Sequence, residues 1–305
     1  MSAIRLGTRR SALAVAQAQR VADSVSSQSQ RPVELVYITT DGDASRESLR
    51  VLGGTGVFVS ALRDALLAGE IDIAVHSLKD LPTAPAAGLM IAALSPRDDP
   101  RDALVARDGL TLRELPAGAS VGTGSPRRAA QLKALRPDLR VADIRGNVDT
   151  RLGFVADGSF DAVVLAQAGL ARLGRLDAVT HTFDPTEMLP APGQGALAVE
   201  ARTDALDADL LTSLRAIDDH ATRAAVTAER AVLAALEAGC SAPVGALAVV
   251  DELGFAESEL NLAALLAATD GSTVKRLSIT ASVADADIAG RQLAERLLGD
   301  GVVVS

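Results

Sequence analysis

Short apolar runs alternate with helix-period segments from the first residues of this 305-residue chain. AIRLGT reads as a strand, and SALAVAQAQRVADSV follows with Ala14, Ala18, Val21 and Val25 on one helical face. VELVYITT, VFVSALRDALLAGE and IDIAVHS continue as strand, helix and buried strand, with Gly69 placed to end the helix. Parallel strands need a crossover between them, and helices of this length supply it. The order therefore restricts the chain to α/β layers with a mostly parallel sheet. SPRDDPRD (95–102) interrupts the rhythm as a linker or crossover. ASVGT, PRRAAQLKAL, LRVADI, TRLGFVA, FDAVVLA and GLARLG then resume it, and a second irregular stretch, LPAPGQG (189–195), leads into the strand-like ALAVEAR. Two similar halves joined by two crossings predict two lobes around a cleft.

The last part changes character. HATRAAVTAERAVLAALEAG predicts one long helix with Val226, Leu233 and Leu236 on a shared face. VGALAVV, ELNLAALLA and VKRLSITAS follow as alternating strands, and DIAGRQLAERLLG as a closing helix. This is an α+β domain with an antiparallel sheet. The expected division is 1–97 with 195–214, then 98–194, then 215–305.

The net charge is −9, and five Phe, one Tyr and no Trp are present, so the basic surplus and stacking aromatics of a nucleic-acid binder are missing. No apolar run reaches bilayer-spanning length, and the N-terminus has no apolar block followed by a cleavage site. With a single cysteine and no disulfide framework, the cytoplasm is the expected location. His76, His181 and His220 are far apart and fit no ligand spacing, so no metal is expected.

Ligands of open α/β sheets bind beyond the carboxyl ends of the strands. This chain repeatedly places basic residues there: Arg9 and Arg10, with Ser11, after the first strand; Lys79 after IDIAVHS; Arg127 and Arg128 after ASVGTGSP; Arg145, with Asn147 and Arg151, after LRVADI; Arg172 after FDAVVLA. Ser125 reads as a helix N-cap and Pro126 as the first helical residue. Arg127 and Arg128 then face the positive end of the helix dipole, each misplaced by about 0.3–1 kcal/mol unless an anion sits there. The pattern predicts an extended ligand with several negative charges, and guanidinium forks suit carboxylates and phosphates equally. No phosphate-binding glycine loop of known spacing is present, which favours carboxylates. Asp80, in HSLKD, is the candidate for acid/base work or for stabilising a cation: a carboxylate among arginines stays ionised.

Cys240, in EAGCSAPVG, follows a glycine expected to end the long helix, with Glu237 close by. Both features disfavour a thiolate. His220 lies about 30 Å away if the helix is continuous, too far to act as its base. An anchor for something covalent, an inert residue and a turnover nucleophile all remain open readings, with the local sequence favouring the anchor.

GTRRSALA, AVHSLKDLPT, DDPRDALV, VGTGSPRRAAQL, IRGNVDTRL, AGLARLG, LPAPGQGALAVE and TAERAVLAALEAGCSAPVGA, in this order, resemble the porphobilinogen deaminase (hydroxymethylbilane synthase) family over essentially the whole chain. The resemblance implies two periplasmic-binding-protein-like α/β lobes around a cleft plus a smaller α+β C-terminal domain with an antiparallel sheet. It implies a transferase of haem biosynthesis that condenses four porphobilinogens, with loss of ammonia, on a dipyrromethane cofactor held by a thioether to Cys240. It further implies Asp80, with Lys79, in catalysis; Ser11, Lys79, Ser125, Arg127, Arg128 and Asn147 on the cofactor; and Arg9, Arg145, Arg151 and Arg172 on the substrate. A monomer without metal, nucleic acid or membrane partner is the expected form. Thr55, Gly124, Pro126 and Ala221 depart from the common pattern, the first where many relatives have a lysine and the second where others often have a serine. The alternative from another class is a non-enzymatic, two-lobed anion-binding protein.

Overall fold

A computed structural model describes residues 2–39, 56–204, 207–236, 243–251 and 258–299. From the N-terminus run β1 (Ile4–Thr8), α1 (Ala12–Ser29), β2 (Val33–Tyr37), α2 (Gly56–Leu67), β3 (Ile73–Ser77) and β4 (Leu89–Leu94). Next come β5 (Asp102–Ala106), β6 (Ser120–Gly122), α3 (Pro126–Leu135), β7 (Arg140–Ala142), α4 (Val148–Ala156), β8 (Ala162–Ala166), α5 (Gln167–Arg172) and β9 (His181–Thr182). The chain ends with β10 (Leu197–Arg202), α6 (Ala208–Ala216), α7 (His220–Ala235), β11 (Val244–Asp251), β12 (Glu259–Ala267), β13 (Val274–Ser282) and α8 (Ala286–Leu298). Two compact units result, 1–97 with 196–223 and 98–195 with 224–305.

The first unit holds a five-stranded sheet in the order β2-β1-β3-β10-β4. β2, β1 and β3 pair in parallel, and β10 runs antiparallel to both of its neighbours. The central strands are covered on both faces, which is why they read as continuous apolar runs rather than alternating ones. Ile4, Leu6, Ile73, Leu197 and Val199 pack against Ala18, Val21, Ala22 and Val25 of α1 on one face. Leu62 and Leu66 of α2 meet Ile71, Ala74 and Leu89 on the other. The expected helix end at Gly69 is present, at φ +71°.

The second unit repeats the plan, with order β7-β6-β8-β5-β9 and β5 as its reversed strand. In each sheet the reversed strand is the one that follows an irregular crossing segment, 95–101 or 189–196. Neither β4, β5 nor α6 stands out in the sequence pattern: two are short strands beside the crossings, and α6 is a nine-residue helix capped by Asp207, which accepts from the Leu210 amide. A separate antiparallel meander, β11-β12-β13, completes this unit. Its inner face packs Ala246, Leu262 and Leu266 against Ala228 and Val232 of α7 and Leu293 and Leu297 of α8. Gly290 permits the helix contact: a Cβ there would lie 2.3 Å from the Ala228 carbonyl. On the other face, Leu247, Leu265 and Ala267 meet Ala130 and Leu189.

Candidate functional site

In the first unit, register sets the site. Leu6 pairs with Ile73 and Gly7 with Ala74, so β1 and β3 end side by side and in the same direction. Arg9 and Ser11 follow the first end, Lys79 and Asp80 the second. Ser11 caps α1 by accepting from the Ala14 amide at 3.3 Å. Lys79 and Asp80 lie in a single 3-10 turn, Leu78–Asp80, closed by the Leu81 amide on the Leu78 carbonyl. Leu78 is fully buried and pins the turn, Lys79 is half-buried, and Asp80 is exposed with no hydrogen bond among the described residues. Two further contacts hold the turn: the Leu78 amide donates to the Ala196 carbonyl at 3.0 Å, and the buried Gln17 amide of α1 donates to Ser77 Oγ at 2.9 Å. Gln17 carries no signal in the sequence, because nothing in a helix period separates a core glutamine from a surface one.

Behind this edge lies a buried ionic cluster. Glu200 of β10 accepts from Arg63 Nε and Nη2, and His76 Nε2 stands 3.2 Å from its Oε2 without a well-aligned hydrogen bond. Burial pushes the Glu200 carboxyl up, but His76 and Arg63 outweigh it and hold the group below its ordinary value.

In the second unit the antiparallel strand does the placing. Because β5 runs against β8, its first residue, Asp102, pairs with Ala166, the last of β8. A carboxylate thus arrives at the same edge as the carboxyl ends of β6 and β8. Ser125 caps α3 and Pro126 opens it, as expected, so Arg127 and Arg128 stand in its first turn. Both arginines are buried, and both close on Asp102, which is fully buried. Arg127 Nη1 donates to Asp102 Oδ2 at 2.7 Å and to the Leu189 carbonyl at 2.6 Å. Arg128 donates from Nε to Asp102 Oδ1 at 2.9 Å and from Nη1 to the Val164 carbonyl at 3.0 Å. Gln194 Nε2 adds a bond to Asp102 Oδ1 at 2.8 Å. Burial pushes the Asp102 carboxyl up, but the charges of Arg127 and Arg128, with the bonds from Arg127 and Gln194, hold it far below the carboxylate range.

This arrangement corrects the expectation of a bound anion at the start of α3. The anion facing the two arginines is internal, so their position alone does not call for a ligand. Burial leaves a different signal. Arg127 Nε is buried without a hydrogen-bond partner among the described residues, an omission that costs about 1–3 kcal/mol in a folded protein. Asp102 and Gln194 were missed as site residues; the acid was legible only as part of DDPRD.

The remaining basic residues divide by exposure. Asn147 caps α4, its Oδ1 accepting from the Thr150 amide at 2.8 Å, and Arg151 lies in the first turn of that helix. Arg145 is half-buried, with Asp143 3.8 Å away. Arg172, at the end of α5, donates to Asp98 Oδ2 at 2.9 Å and to the Gly195 carbonyl at 2.6 Å. Cys240 lies outside the described residues, as does Thr55. Among the described residues no three His, Cys, Asp or Glu side chains gather to hold a metal, and no helix is long and apolar enough to cross a membrane.

Two mostly parallel sheets with basic groups and carboxylates gathered at their carboxyl edges, followed by an antiparallel-sheet domain, define an α/β protein suited to a polycarboxylate ligand. Residues 4–209 match the family model described as porphobilinogen deaminase, dipyromethane cofactor binding domain, and residues 223–299 match porphobilinogen deaminase, C-terminal domain. The chain is 60% identical to the porphobilinogen deaminase of Thermobifida fusca, over 97% of this chain and 93% of that one. It is 57% identical to porphobilinogen deaminase 1 of Streptomyces coelicolor, over 98% and 96%. Among solved structures, immunogenic lipoprotein A from Vibrio vulnificus aligns with a TM-score of 0.44 and 13% identity, over 72% of this chain and 96% of that one. The chain belongs to the porphobilinogen deaminase family and is an enzyme of tetrapyrrole synthesis.

Proposed function

We propose a division of labour among these residues for the reaction of the family, the head-to-tail condensation of four porphobilinogens into hydroxymethylbilane with loss of ammonia. The reading makes the chain a transferase, monomeric and cytoplasmic. It keeps three domains, 1–97 with 195–214, 98–194 and 215–305, as part of this proposal. Dipyrromethane, when bound through Cys240, supplies the electron-rich pyrrole carbon on which the product grows.

The observation that carries the assignment is the buried Nε of Arg127, a donor that nothing among the described residues satisfies. A carboxylate side chain of a pyrrole suits that donor, so the residues present fit the cofactor. Arg127 and Arg128, with Ser11, Lys79, Ser125 and Asn147, would hold it. Arg9, Arg145, Arg151 and Arg172 would hold the acetate and propionate groups of incoming substrate. Asp80 is exposed on a turn fixed from beneath by Leu78, which suits a group that must face a developing cation without following it. Its carboxylate steadies the positive charge that appears as ammonia leaves, and Lys79 beside it joins it in catalysis while holding a cofactor carboxylate. Fixed charge and positioning meet the needs of this carbon–carbon bond formation. The family match weighs against a non-enzymatic anion-binding protein.

Intact mass measurement of the purified chain tests the reading. A covalent excess of two pyrroles on the wild type, absent from Cys240→Ala, is expected. The same excess on the Cys240→Ala chain would overturn the anchor.

A further inference from the structure

Arg127 and Arg128 are neighbours in one helical turn, yet they spend their hydrogens differently. Arg128 commits all three of its nitrogens inside the protein: Nε and Nη2 to Asp102, Nη1 to the Val164 carbonyl. Arg127 commits only Nη1, whose two hydrogens go to Asp102 Oδ2 and the Leu189 carbonyl. Among the described residues its buried Nε makes no bond and its Nη2 makes none. Nε and Nη2 form one edge of the planar guanidinium, and their hydrogens point the same way. That edge matches the two oxygens of a carboxylate.

What fixes the edge is Asp102. Its Oδ1 accepts from Arg128 Nε and from Gln194, and its Oδ2 accepts from Arg127, so the carboxylate is held from several sides. The backbone is equally held: the Phe183 amide donates to the Asp102 carbonyl, and Asp102 begins a strand paired on both sides. A carboxylate that cannot turn holds Nη1, and with Nη1 held the opposite edge of the guanidinium has one direction left to face.

We infer that Asp102 is a positioning residue that acts through Arg127, turning its Nε/Nη2 edge toward a carboxylate of the dipyrromethane cofactor, while Arg128, beside its own place on the cofactor, braces that acid. This rests on the reading that Arg127 holds the cofactor. It separates two arginines that the sequence treats alike, and it gives DDPRD a task in ligand alignment.

Four chains test it: wild type, Arg127→Gln, Asp102→Asn and the double variant, each purified as expressed. Covalent dipyrrole occupancy is read by intact mass, and folding by circular dichroism. Arg127→Gln is expected to lower occupancy at least threefold, Asp102→Asn to do the same in a folded chain, and the double variant to be no worse than Arg127→Gln. Additive losses in the double variant would show that Asp102 does not act through Arg127. Normal occupancy in Asp102→Asn beside a loss in Arg127→Gln would overturn the positioning role and leave the Arg127 assignment standing. Normal occupancy in Arg127→Gln would sink that assignment and the inference with it. Should Asp102→Asn fail to fold, nitrogen NMR of the arginine side chains decides in the wild-type holoenzyme against Cys240→Ala. Arg127 Nε–H is expected to exchange with solvent at least tenfold more slowly in the holoenzyme, with Arg128 unchanged; equal exchange of Arg127 in both would overturn the inference.

Discussion

Glu200→Gln on β10 tests how the first sheet supports the Asp80 turn. Glu200 is 2% exposed and sits opposite Ala74 of β3, three residues before Ser77. Arg63 reaches it with Nε at 3.1 Å and Nη2 at 2.7 Å, and His76 Nε2 lies 3.2 Å away. The amide keeps the shape but removes the charge and turns an NH2 donor toward a guanidinium. Breaking a buried pair from one side costs about 3–5 kcal/mol, because the other charge is left behind. Arg63 retains 18% side-chain exposure and can turn partly to water, which brings the expected loss to about 2–4 kcal/mol. Urea unfolding at neutral pH measures it. Glu200→Gln/Arg63→Met removes the stranded cation and is expected to recover more than half of the loss. The pH dependence has a definite sign. The folded-state pKa of Glu200 is depressed, so its contribution is present above the ordinary value of 4.5 and is lost as pH falls below it. The gap between wild type and variant should therefore narrow in acid. A loss under about 1 kcal/mol, no recovery in the double variant, or a gap that widens in acid would refute the reasoning.

Three further outcomes are expected. Asp80→Asn lowers turnover by about a hundredfold or more while the two-pyrrole mass excess stays, since the exposed carboxylate supports no other residue among those described; steady-state kinetics beside mass measurement check it. Gly124→Ala destabilises by about 1–3 kcal/mol in thermal or urea unfolding, because its Cβ would stand 2.7 Å from the Ile144 carbonyl, and a neutral change would mean that the loop yields freely. Arg145→Gln changes stability by less than about 0.5 kcal/mol but raises the KM for porphobilinogen about tenfold, as befits a half-buried guanidinium whose acidic neighbour is 3.8 Å away. An unchanged KM would remove Arg145 from the substrate contacts.

Much of the local structure was legible because local structure is periodic. The α1 face, the Ser125 and Pro126 start of α3, the Gly69 helix end and the β11-β12-β13 strands each carry their own signal in a few neighbouring residues. The reversed strand of each sheet was not legible as such. DALVA and ALAVEAR are apolar runs whose direction depends on where the chain re-enters a sheet, and no residue within them records it.

The sequence by itself determined most of the elements, though not β4, β5 or α6, that basic residues follow the strands of two mostly parallel sheets, and, through its motifs, the family. Local hydrogen bonding, apolar periodicity and short chemical patterns are properties of neighbours along the chain. Only the tertiary structure decided what the arginines face. Asp102, distant in sequence, meets Arg127 and Arg128 because β5 runs backwards beside β8, and Gln194 joins them from the second crossing. A buried charge is settled by whatever the fold brings within bonding distance. The same sequence pattern therefore produced one arginine that braces an acid and another with an edge left for a ligand.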